Sequence, residues 1–131
     1  LLGEDRINYK NQLKPEKMKI AFTTKGTSLQ SDMDPRFGRT DYLLFIEHES
    51  GKFSFLDNRE IESVEHGAGT KTSSRLIAHQ PDVLITGNGP GGNASTVLQQ
   101  TGIKIFTGAE NMTVKEAYDA WRNNMLKEFK F

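Results

Sequence analysis

A glycine run, Gly87-Asn88-Gly89-Pro90-Gly91-Gly92-Asn93, follows the apolar segment Val83-Leu84-Ile85 and precedes a helix-like stretch. Strand, glycine turn, helix is the order in which α/β proteins build anion sites, because the first N–H groups of the helix have no intrahelical acceptor. Glycine lets the backbone turn sharply and approach a ligand closely. The run also matches G-x-G-x-x-G. A dinucleotide fingerprint, however, opens a larger sheet and is followed about 20 residues later by a ribose-binding acid. Here the next strand, 103–106, ends in Thr107-Gly108, and Glu110 lies beyond it in a turn. Pro90 cannot donate an N–H and reads as the first residue of a helix, where that loss costs nothing. Two readings stay open: a glycine turn needed for tight strand-to-helix packing, or a site for an anion other than a dinucleotide.

The rest of the chain fits a small α/β domain. Its 131 residues suit one domain with a core of its own. The polar stretch 1–17, broken by Pro15, is expected to be a flexible or artificial extension, with the domain proper spanning 18–131. From Met18 onward the pattern predicts strands over 19–24, 42–46 and 52–56, the last two forming a hairpin across Glu49-Ser50-Gly51. A helix over 73–80 ends at Pro81. Then come a strand over 82–86, a helix over 90–100 closed by Gly102, and the strand 103–106. The final helix opens with the capping box Thr113-x-x-Glu116 and runs through Ala117, Ala120, Trp121 and Leu126. The order βββαβαβα implies a three-layer α/β fold whose mostly parallel sheet contains one antiparallel hairpin strand.

Composition narrows the chemistry. There is no cysteine, hence no disulfide framework, thiolate zinc site or cysteine-ligated iron–sulfur cluster. Lys plus Arg equals Asp plus Glu at 17 each, so no net positive field recruits nucleic acid or an anionic membrane. No apolar run approaches the ~20 residues of a membrane span, and no leader-like segment is visible. The expectation is a soluble cytoplasmic protein with neither a nucleic-acid nor a membrane partner.

Local motifs each carry a plain and a functional reading. Phe37-Gly38-Arg39 sets a glycine turn beside a planar, always charged donor suited to anions; alone, it is equally a solvated turn. Glu65-His66-Gly67-Ala68-Gly69 places an imidazole at a flexible glycine loop, as metal ligand, proton carrier or loop hydrogen-bonder. Gly69-Thr70-Lys71-Thr72 fails as a phosphate-binding loop, because Thr70 and Glu65 stand where glycines are required. His48 and His79 do not pair with His66 at a ligand-like spacing. Asp32, Asp34 and Asp41 sit in a turn-rich loop where aspartate commonly caps. Nuclease chemistry would need acids converging on Mg²⁺, and the core strands supply only Asp41 and Asp82 at their ends.

Taken in order, Asp34-Pro35-Arg36-Phe37-Gly38-Arg39, then Asn58 with His66-Gly67-Ala68-Gly69, then Thr86-Gly87-Asn88-Gly89-Pro90, and finally Phe106-Thr107-Gly108 before Val114-Lys115-Glu116-Ala117, the chain resembles the dinitrogenase iron-molybdenum cofactor biosynthesis family. The resemblance covers Met18 to about Lys127. It implies a ribonuclease H-like three-layer α/β/α fold with five strands in order 3-2-1-4-5, the second antiparallel. It also implies binding or carriage of an iron- or molybdenum-containing sulfide cluster or its precursor, exchanged with donor or acceptor proteins, and no catalysis. The residues it singles out are Gly38, Arg39, His66, Gly67, Gly87, Asn88 and Gly89, with His66 the metal-ligand candidate. Gly91-Gly92 depart from the family's pattern, where a longer side chain is common. The alternatives are a small-anion or nucleotide-binding regulatory module and a ribonuclease H-like nuclease. In the implied strand order the first and fourth strands are neighbours. Their loops, with Arg39 and residues 87–89, then lie at one end of the sheet, and His66 arrives there at a helix start.

Overall fold

The computed structural model describes residues 18–131, so the expected extension 1–17 lies outside the described residues. One mixed sheet organises them. Its strands are β1 (Lys19–Thr24), β2 (Tyr42–Glu47), β3 (Phe53–Asp57), β4 (Val83–Ile85), β5 (Lys104–Thr107) and β6 (Lys127–Glu128), in spatial order β3-β2-β1-β4-β5-β6. The pairs β1–β4 and β4–β5 are parallel, whereas β2 runs antiparallel to both β1 and β3. The first five strands therefore take the expected order, with the second reversed.

The helices are α1 (Ala68–Ala78), α2 (Gly92–Leu98) and α3 (Val114–Arg122), and a 3₁₀ turn spans Arg59–Ser63. Side chains alternate across a strand, so each sheet face collects its own core. Ile20, Phe22, Leu44, Ile46, Val83 and Ile85 pack with Val114 and Ala117 of α3. Ala21, Leu43, Phe45, Leu84 and Ile105 pack with Leu76 of α1 and with Ala94 and Leu98 of α2. Helices on both faces make the three layers. They also explain why β1 and β4 are buried on both sides and read as continuous apolar runs. At 7 residues, α2 is too short to persist on propensity, so the burial of Ala94 and Leu98 holds it.

Most boundaries shift by one or two residues from the sequence expectation, and three differences have a clear physical cause. The last helix does not run through Leu126. Asn123 caps it, Asn124 turns left-handed at φ 57°, and the chain reverses to add β6 antiparallel to β5. The second difference is that α1 begins five residues before Ser73, since Gly67, at φ 77°, supplies a conformation other residues rarely adopt. Pro90 is not the first helical residue either. Gly91 is the N-cap and α2 starts at Gly92, while the Pro90 carbonyl accepts a bond from the Ser95 hydroxyl.

Candidate functional site

Strand order switches between β1 and β4, so the crevice of this α/β sheet lies beyond their carboxyl ends. The loops there are braced from below by buried hydroxyls. Thr23 Oγ1 donates to the Asp34 carbonyl and meets Thr86 Oγ1, each at 2.8 Å. The turn after β4 is tied on both sides, Asn88 N–H donating to the Pro35 carbonyl and Gly108 N–H to the Gly87 carbonyl. Gly87 is required by packing: a Cβ there would stand 2.7 Å from Pro35 Cα and 2.8 Å from Glu110 Cβ. At Gly89 a Cβ would come within 2.6 Å of the Phe129 ring, so the chain's own C-terminal segment covers this glycine.

The loop after β1 is held by charge. Asp34 is fully buried and accepts from the Arg36 main-chain N–H, the Arg36 guanidinium and the Asp41 N–H. The Asp34 carboxylate in turn raises the Arg36 pKa above its ordinary value. Arg39, expected to face an anion, instead donates to main-chain carbonyls, Nη1 to Ile61 at 3.0 Å and Nη2 to Val64 at 2.9 Å. A cation there neutralises the carbonyl end of the 3₁₀ turn. Asn58, also fully buried, gives its Nδ2 to the Thr40 carbonyl and to Thr72 Oγ1. Thr72 Oγ1 donates onward to the Gly38 carbonyl at 2.6 Å. This chain of bonds fixes the start of α1 against the Gly38 loop. The contact is close, since a Cβ on Gly38 would lie 3.1 Å from Gly69 Cα.

The two helix starts meet around a hollow of about 230 Å³. The first helical bond of α1 runs from Lys71 N–H to the Gly67 carbonyl, and that of α2 from Ser95 N–H to the Gly91 carbonyl. The amides of Ala68, Gly69 and Thr70, and of Gly92, Asn93 and Ala94, precede those bonds and have no intrahelical acceptor. All six residues line the hollow, with Phe37, Gly38, Gly67 and Gly91 completing it. Neither helix has a side-chain cap bond or an acid in its first turn, so neither dipole end is neutralised. No lining residue is charged. Gly69 lets the starts approach, its would-be Cβ 3.2 Å from that of Ala94, whereas a Cβ on Gly91 or Gly92 would meet nothing within 4 Å.

Of the residues singled out from sequence, Gly38 and Gly67 line this hollow, and His66 stands exposed beside Gly67. Gly87, Asn88 and Gly89 line a different one, of about 490 Å³, between the ends of β4, β5 and β6. That second hollow includes Glu110 and Glu128 as well as Lys127 and Lys130, so its charged side chains cancel and give it no net preference for an anion. Gly69, Gly91, Gly92 and Asn93 stand inside the sequence motifs without being among the residues singled out, and they line the first hollow. The available signal was a pair of glycines after Pro90 with no acid in the helical turn they open. Among the described residues no group of three or more His, Asp or Glu could hold a metal ion, so His66 belongs to no such set. No described helix is long and apolar enough to cross a membrane.

These features define a three-layer α/β/α domain of the ribonuclease H-like type, whose free main-chain donors gather where two helices begin. The family profile described as dinitrogenase iron-molybdenum cofactor matches residues 16–124, and the chain belongs to that family. Solved structures share its fold, among them these two. The apo form of the orange protein from Desulfovibrio gigas is 29% identical, with a TM-score of 0.79, over 88% of this chain and 99% of that one. A NifB-like protein of the DUF35 family from Thermotoga is 31% identical, with a TM-score of 0.73, over 87% of this chain and 97% of that one. No curated protein matches the chain at a significant level.

Proposed function

We propose that this chain binds and carries an anionic iron- or molybdenum-containing sulfide cluster, or its precursor, exchanging it with donor and acceptor proteins during cofactor assembly. One observation carries the reading: six residues whose amides lack an intrahelical acceptor, from two uncapped helix starts, line one hollow that holds no charged side chain. A sulfide-rich anion brings its own metal ligands. What it needs from a cysteine-free protein is oriented N–H donors and an uncompensated positive dipole, and both are present. Gly91 and Gly92 fit the same demand, since nothing in the protein forbids a side chain at either and only a close visitor would. Thr70 and Asn93 add a hydroxyl and a carboxamide for orientation. His66, exposed beside Gly67, offers an imidazole that could ligate an exchangeable metal.

The lining offers donors but no general acid or base, which favours carriage over catalysis. Ammonium tetrathiomolybdate is a usable probe because its visible absorption reports its surroundings. Titration into the full chain is expected to shift the amide resonances of residues 67–70 and 91–94, leaving those of 87–89 nearly still. Gly92→Val should abolish the shifts while changing unfolding free energy by less than about 1 kcal/mol, since its Cβ enters open space. Inorganic phosphate and nucleotides form the second arm. Saturable shifts with them and none with thiomolybdate would move the reading to a small-anion regulatory module.

A further inference from the structure

On the face of the sheet that α3 covers, an aromatic cluster carries polar groups that packing alone does not require. Tyr118 and Trp121 stack with ring centres 6.1 Å apart and planes 19° from parallel. His48, just beyond β2, is pinned by its N–H to the Met18 carbonyl. Its ring stands edge-on to both aromatics, 6.0 Å from Tyr118 and 5.8 Å from Trp121. Core residue Phe22 meets Tyr118 edge-on at 6.4 Å.

The Tyr118 hydroxyl lies 2.6 Å from His48 Nδ1, short for such a bond. Burial pushes the Tyr118 phenol up, so it keeps its proton at neutral pH and donates to a neutral imidazole. With the phenol as donor, the imidazole's own proton belongs on Nε2, which faces Glu49 Oε1 at 3.7 Å. An imidazolium formed at His48 is therefore met by a carboxylate.

Tyr42 makes the contrast. It carries the Arg59 guanidinium over its ring at 5.2 Å, much as Tyr118 carries Arg122 at 5.4 Å. Among the described residues, however, Tyr118 is the tyrosine whose hydroxyl is hydrogen-bonded to a base. That difference governs oxidation. A phenol that loses one electron becomes a strong acid, so it gives the electron up readily only where a base takes the proton at the same time. Trp121 supplies the entry, since it lines a hollow of about 340 Å³ with His48, Arg122 and Asn124.

We propose that Tyr118 is a proton-coupled one-electron donor to oxidising radicals that reach the hollow beside Trp121. The radical takes an electron from the Trp121 indole, whose N–H proton passes to water. The resulting indolyl radical takes an electron from Tyr118 as the phenolic proton moves to His48 Nδ1, and the indole recovers a proton from water. The products are the reduced oxidant, a tyrosyl radical and an imidazolium facing Glu49.

Pulse radiolysis of the full chain with azidyl radical as the oxidant tests this. Trp121 is the chain's one tryptophan, so the indolyl absorption reports it alone. At about pH 8, where an imidazole is ordinarily neutral, that absorption is expected to decay as tyrosyl absorption rises, more slowly in D₂O than in H₂O. Tyr118→Phe should abolish the transfer and Tyr42→Phe should leave it intact. His48→Ala should slow it roughly 100-fold, the usual worth of a positioned base, and free imidazole should restore it through the hollow. Rescue distinguishes proton acceptance from a purely structural role. Equal rates in H₂O and D₂O would overturn the proposal on the unaltered chain, whatever the variants do. So would transfer that survives Tyr118→Phe, an unchanged rate in His48→Ala, or a slowed one that imidazole does not raise.

Discussion

The helices of this domain begin in two different ways, and the contrast separates structure from function. On one face of the sheet, α3 opens with a complete capping box. Thr113 Oγ1 accepts from Glu116 N–H at 3.2 Å and Glu116 Oε1 accepts from Thr113 N–H at 2.9 Å. On the other face, α1 and α2 open from Gly67 and Gly91 with no side-chain cap and no acid in the first turn. A protein that can build a capping box once has the chemistry to do so three times. Leaving two helix ends bare costs stability at each, and the loss is compensated if those ends have an external acceptor.

The glycines divide along the same line, which gives the prediction with the largest effect. Gly87 is wedged between Pro35 and Glu110, and relieving a 2.7 Å contact with backbone means moving the loop after β1. Gly87→Ala should lower unfolding free energy by about 1–3 kcal/mol, the usual range for overpacking, as read from urea denaturation. Gly92→Ala, made beside it, should leave stability unchanged or slightly raised, because the new methyl meets nothing and alanine favours helix. Equal losses in the two variants would erase the distinction between packing glycines and open ones.

The second prediction concerns the capped end. Thr113→Ala removes an acceptor from Glu116 N–H and should cost about 1 kcal/mol, again by denaturant titration. Anion binding at the hollow should be unaffected, because α3 packs on the other face of the sheet. A change in thiomolybdate affinity here would mean that the two faces are coupled.

Much of this arrangement was legible in the sequence, and the failures have physical causes. The first five strands and their order follow from apolar segments such as 83–85 and 42–46, whose burial on one or both faces leaves a strong pattern. The Thr113-x-x-Glu116 box is local, and it forms as read. Arg39 could not be read this way. Its partners are the carbonyls of Ile61 and Val64, 22 and 25 residues away, and a main-chain acceptor leaves no mark in a side-chain sequence. Asn58 is similar, since its partners Thr40 and Thr72 come from separate elements. The sixth strand was hidden because it is only two residues long and is placed by the reversal at Asn123-Asn124 rather than by any pattern of its own. The glycine run divides in a way its sequence does not display. Its first half, Gly87 and Gly89, is taken up by Pro35, Glu110 and Phe129, and its second half, Gly91 and Gly92, faces open space.

The smallest expected change in stability is the most direct probe of why α2 is left bare. Gly91 already has the extended φ of −73° and ψ of 179° that an N-cap residue needs, so an aspartate can adopt its conformation without strain. Gly91→Asp should give α2 a side-chain cap and place a negative charge on its dipole, raising stability by only a few tenths of a kcal/mol, since glycine is itself a tolerable cap. The same carboxylate would occupy amides that the proposed anion needs and repel it as well. Thiomolybdate binding should therefore fall by at least tenfold in a protein that is no less stable than its parent. Thermal unfolding and an amide-shift titration on one sample measure both quantities. If stability rises and binding is untouched, the bare end of α2 is an unused opportunity rather than a ligand site, and the hollow must draw its donors from α1 alone.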